Sequence, residues 1–73
     1  MTIHRALYSG RMIEIETERR RDGLYQVLRV LVEVRRGHGV VVDEMPYQLV
    51  GLSESSVVEQ ATVDATKYIK SIG

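Results

Sequence analysis

The 73-residue chain has no cysteine, no tryptophan and no phenylalanine, and Pro46 is its only proline. Without cysteine it has neither a disulfide framework nor a thiolate zinc site. His4 and His38 lie far apart and nothing around them has metal-ligand spacing, so no metal or cofactor is expected. Charge of one sign is also missing. Lys+Arg and Asp+Glu both count 10, whereas a nucleic-acid binder carries a clear positive excess. No aromatic pair is placed to stack bases on a sheet. No apolar run approaches the ~18 residues of a membrane span, and no charged-then-apolar leader follows Met1. A soluble, cytoplasmic protein is expected, without membrane or nucleic-acid partners.

The length fits one domain, residues 1–73. A domain this small buries only roughly 60% of the surface of its unfolded chain, and self-association is the reinforcement left to a small scaffold without staples. Arginine supplies all the basic residues except Lys67 and Lys70, which suggests a GC-rich, bacterial genome.

The organising stretch runs from Arg11 to Val34, two alternating strands across Asp22-Gly23. Asp-Gly between such runs signals a hairpin, because a type I′ turn needs positive φ at both central residues. Setting Arg21 opposite Leu24 pairs Ile15 with Val30, Ile13 with Val32 and Thr17 with Leu28 on one face. Glu16 then meets Arg29 on the other. A slip of one residue would turn every side chain over.

An earlier strand is expected over Thr2 to Tyr8, turning at Ser9-Gly10. Tyr8 then faces Arg11, Ala6 faces Ile13, His4 faces Ile15 and Arg5 faces Glu14, with Ile3 and Leu7 outside; a one-residue shift would bury Ile3 and Leu7 instead. Met12 to Glu18 alternates cleanly, and Leu24 to Arg35 is the longest strand and belongs at the centre. Arg19-Arg20-Arg21 is a solvated hairpin tip with acidic neighbours rather than a phosphate site. Gly37-His38-Gly39 is a turn, lacking the third glycine and following helix of a dinucleotide loop. It leads to a fourth strand, Val40 to Met45, stopped by Pro46. A three-residue turn there puts Val40 and Val42 on the core side, and a shorter one Val41 and Met45. Pro46 to Leu52 should cross an edge of the core with Leu49 and Leu52 turned inward.

From Ser53 the period becomes helical, with Val57, Val58, Ala61, Ala65, Tyr68, Ile69 and Ile72 in one stripe. Two caps compete. Ser53 has Leu52 and Val57 spaced as a hydrophobic staple, and Ser56 with Glu59 has capping-box spacing; the staple favours Ser53. The fold class is α+β: a four-stranded antiparallel meander with one C-terminal helix on one face.

One helix covers one side of a sheet. The bare side carries Glu14, Glu16, Glu33 and Arg35, and among them Leu7, Met12, Val27, Arg29 and Leu31, the candidate interface. No nucleophile, phosphate loop or metal cluster accompanies His38, Asp43 or Glu44, so no catalytic residue and no small-molecule substrate is assigned. The strands-then-helix layout is similar to double-stranded-RNA-binding domains, although the final helix here starts Ser53-Glu54-Ser55-Ser56, acidic and lysine-free. With Asp43-Glu44-Met45-Pro46 before its helix, the layout also resembles the small, partially RNase-H-like domain of HicB-type antitoxins, without the glutamate-alanine start of that helix. The first expectation is a non-catalytic, homo-oligomeric protein-interaction module. An antitoxin-like subunit that neutralises a partner enzyme is the alternative that the second resemblance implies.

Overall fold

The computed structural model describes the backbone of residues 1–72 and, except at Arg36 and Ile72, their side chains. The chain runs β1 (Thr2–Tyr8), β2 (Arg11–Arg19), β3 (Tyr25–Arg36), β4 (Gly39–Met45), β5 (Leu49–Gly51) and α1 (Glu54–Ile72). Strands β1 to β4 form an antiparallel meander in chain order, and α1 packs on one face. The α+β fold expected from the sequence is present, with β5 added where an apolar crossing was expected.

Ser9 and Gly10 have φ of 50° and 75°, the positive pair of a type I′ turn. Tyr8 pairs with Arg11, Ala6 with Ile13, His4 with Ile15 and Arg5 with Glu14. The first strand is therefore unshifted, with Ile3 and Leu7 outside.

The β2–β3 hairpin reaches its register by a route different from the one expected. Gly23 has a φ of 85° but Asp22 does not enter the positive region. The Gly23 N–H donates to the Arg20 carbonyl at 3.1 Å, and the Arg20 N–H to the Leu24 carbonyl at 2.7 Å. This is a type I turn followed by a left-handed glycine, a three-residue loop, and the Asp22 carboxylate braces it by accepting the Leu24 N–H at 3.0 Å. The strands leave it one residue out of the counted register, with Arg19 opposite Tyr25 and Thr17 opposite Val27. A β-bulge then restores the count, and Glu16 pairs with Arg29, Ile15 with Val30 and Ile13 with Val32.

Two side chains change places as a result. Val27 was expected outside and is 5% exposed in the core, while Leu28, expected inside opposite Thr17, is 41% exposed. One extra residue in a strand reverses the faces on one side of it.

At the third turn Arg36 pairs with Gly39, Val34 with Val41 and Val30 with Met45. The turn is the shorter one, with Gly37 at a φ of 60° in the first central position, where a type II′ turn takes glycine. Met45 and Val41 are thereby on the helix side and Val40 and Val42 outside. Pro46, with no N–H to give, ends β4. The chain then passes the bulge and pairs again with β3, Leu49 opposite Val27 and Gly51 opposite Tyr25.

Leu49 packs against the core, but Leu52 is 86% exposed, so the expected staple with Val57 is not formed. Val57 closes over Gly51 instead, where an added Cβ would lie 2.7 Å from its Cγ1. Ser53 is nonetheless the cap: its Oγ accepts the Ser56 N–H at 3.2 Å and its carbonyl the Val57 N–H at 3.2 Å. Val57, Ala61, Ala65 and Ile69 then descend onto Ile13, Ile15, Val27, Val30, Val32, Val34 and Met45. Ile72, expected to extend this stripe, lies outside the described side chains. The helix covers β3 and β2, with β5 and β1 at its margins.

The bulge makes a paired prediction. Val27→Asp should lower stability by about 3 kcal/mol or more, because it buries an unpaired carboxylate, whereas Leu28→Asp should change it by less than about 1 kcal/mol; urea unfolding separates the two. Gly51→Ala, forced against the buried and χ1-stiff Val57, should cost about 1–3 kcal/mol in the same assay.

Candidate interaction surface

Strand pairing lays out the uncovered face in rows. One row runs Arg5, Glu14, Leu31, Glu44, and another Ile3, Glu16, Arg29. Both arginines have carboxylate partners: Arg5 Nε lies 2.9 Å from Glu14, and Arg29 Nε 3.5 Å from Glu16 and 3.7 Å from Glu44. Exposed pairs of this kind contribute about 0–1 kcal/mol each, so their main effect is to leave no uncompensated positive charge in these rows.

Towards the Ser9 and Gly37 turns the face becomes apolar. Leu7 is opposite Met12, Glu33 is opposite Val42, and the Met12 N–H donates to the Glu33 carboxylate at 2.7 Å, which joins the two pairs into one row. Leu7 is 75% exposed, Val40 58% and Val42 63%. Met12 is exposed and Leu31 half-buried. A shallow concavity of about 70 Å³ is lined by Met12, Glu14, Leu31, Val32, Glu33 and Val42.

Of the interface residues expected from the sequence, Leu7, Met12, Arg29 and Leu31 share this face. Val27 does not, because the bulge turns it into the core. Val40 and Val42 take its place as apolar members of the surface. The turn length that sends them outward was one of two open readings of Gly37-His38-Gly39, so their exposure had no independent signal in the sequence.

Two polar clusters sit elsewhere. Thr17 is fully buried, and its hydroxyl donates to Glu54 at 3.3 Å and lies 3.4 Å from His4 Nε2. A threonine, a histidine and a carboxylate are the groups of a nucleophilic site, but a hydroxyl with no solvent exposure meets no substrate. Its work is to tie the helix start to β1 and β2. Cross-strand counting brings His4 and Thr17 within a diagonal of each other, although Glu54 could be placed there only by the helix.

The second cluster anchors the 46–48 segment. The Tyr47 hydroxyl donates to Asp64 Oδ2, and Gln60 donates to Oδ1 at 3.1 Å. Burial, then the hydrogen bond and charge of Asp64, push the Tyr47 phenol well above its ordinary range. The bonds from Tyr47 and then Gln60 hold the Asp64 carboxyl below the usual carboxylate range. At the hairpin tip Arg20 pairs with Asp22 at 3.1 Å.

Among the described residues, no group of three or more His, Cys, Asp or Glu side chains is placed to hold a metal ion. No helix there is long and apolar enough to cross a membrane. Comparison with protein-family models, with curated proteins and with solved structures finds no match.

Tyr47→Phe tests the second cluster. It should cost about 1 kcal/mol at pH 7 by urea unfolding. Asp64, depressed in the folded state, stabilises above its unfolded value near pH 4 and loses that contribution as the pH falls through its folded value. Tyr47, raised, stabilises below about pH 10 and loses its contribution above it. The gap between parent and variant should therefore narrow below about pH 4 and above about pH 10, and stay constant between.

Proposed function

We propose that this chain is a non-catalytic protein-interaction module that works as a homo-oligomer, with the bare face of its sheet as the recognition surface. The observation that supports this reading is the position of Leu7, Met12, Val40 and Val42. They lie exposed together on the one sheet face that α1 leaves open. Burying a side chain of that size contributes about 1.5–3 kcal/mol, and a small domain has every reason to recover it by association. The charges on the same face fit a protein surface better than a polyanion, since Arg5 and Arg29 each have a carboxylate partner. A bacterial, cytoplasmic setting belongs to the same proposal and rests on composition.

The test is sedimentation equilibrium at micromolar concentration on the parent and on Leu7→Glu and Leu31→Glu. Association in the parent is the expected result, and the two variants, with their fold intact, report whether the apolar face carries it. A strictly monomeric parent would contradict the reading.

A further inference from the structure

The sheet is open along β1 on one side and along β4, continued by the short β5, on the other. Natural sheets guard such edges with charged side chains, proline or bulges. β1 is guarded by Arg5, mid-strand and exposed. β4 has its charges, Asp43 and Glu44, at one end, and its other half, Val40-Val41-Val42, has no charge, no proline and a regular register, with all three valines exposed. Val41 is 39% exposed even though it faces the helix side.

The hairpin fixes which backbone groups are free. Residues flanking a two-residue turn exchange both hydrogen bonds, and directly opposed pairs alternate from there. Arg36 and Gly39 are the flanking pair. Gly39, Val41 and Asp43 accordingly direct their N–H and C=O towards β3, and Val40, Val42 and Glu44 direct theirs to the open edge.

We propose that β4 pairs antiparallel with β4 of a second copy, about a two-fold axis through Val41, to make one continuous sheet across both molecules. In this register Val40 of each copy faces Val42 of the other, and both are residues whose backbone groups are free. Gly39 meets Asp43, and the turn residue His38 approaches Glu44. A shift of the axis to Val42 would set Val40 against Glu44 and Val41 against Asp43, placing carboxylates on valines. A shift to Val40 would leave Val41 opposite Gly39. The acidic end of β4 thus selects the register in which valine meets valine. The two-fold axis stands perpendicular to the sheet, so both helices lie on one side and the two apolar outer faces become one.

This inference rests on the self-association part of the function proposed above and assigns it to the edge rather than to the face. Two seven-residue strands bury less than the ~1,200 Å² of a standard interface, so the pairing is weak and concentration-dependent. It is read by sedimentation velocity and amide hydrogen exchange on the whole chain from about 10 to about 500 µM. The Val40 and Val42 amides should slow with rising concentration, and the Val41 amide, held by β3 in either state, should not. Val42→Pro removes an edge-facing N–H and leaves the β3 ladder whole; Val42→Lys, which sets a charge against Val40 of the other copy, serves if the proline variant unfolds. Either should weaken association at least about tenfold while Leu7→Glu leaves it intact. Association retained in both Val42 variants and lost in Leu7→Glu would overturn the edge pairing and keep the face as the self-contact. A parent that stays monomeric, with Val40 and Val42 exchanging at the same rate throughout, would overturn both.

Discussion

A single extra residue in β3 decides what this sheet buries. The three-residue turn at Arg21, Asp22 and Gly23 sends the two central strands off one residue out of phase with their hydrophobic pattern. Carried to the far end, that phase would set Ile15 opposite Arg29 and Ile13 opposite Leu31. An arginine would enter the core while Val30 and Val32 faced water. Burying an unpaired charge costs several kcal/mol, and interrupting a ladder costs about one hydrogen bond, ~1 kcal/mol. The bulge is the cheaper solution by a wide margin.

The same position shapes the other side of β3. β4 pairs with it as far back as Val30 and β5 resumes at Val27, so the break between them falls beside the bulge. The chain bridges that break with Pro46, Tyr47 and Gln48. The bond from Tyr47 to Asp64 fastens the bridge to the helix. The helix is in turn seated by Val57 against Gly51 and by Glu54 against Thr17. One face of the sheet is closed by these contacts, and the other is left with paired charges at one end and unpartnered aliphatic side chains at the other.

Most of this architecture was legible in the sequence. Period-two alternation in Ile13, Ile15 and Thr17, the Ser9-Gly10 turn and the helical stripe from Val57 to Ile69 each carry a local signal that tertiary contacts reinforce. Asp22-Gly23 was legible as a turn but not as to type, because glycine in the left-handed region serves a two-residue and a three-residue loop equally. The register at Ile15 and Val30 came out as counted because two departures cancel, a longer loop and a bulge. That cancellation also hid the exchange of Val27 and Leu28. Leu52 misled for another reason: a staple needs room at the helix start, and β5 pairing through to Gly51 puts Val57 elsewhere. On the outer face, Leu7, Met12, Arg29 and Leu31 could be placed by counting strands, whereas Val40 and Val42 depended on a turn length that glycine on both sides of His38 left open.

Cross-strand proton contacts between β2 and β3 in solution test the central claim most directly. The bulge requires Thr17 to contact Val27 and Arg19 to contact Tyr25, together with Ile15 to Val30 and Ile13 to Val32. Contacts of Thr17 with Leu28 and of Arg21 with Leu24, in one unbroken register from the turn to Ile13, would contradict it.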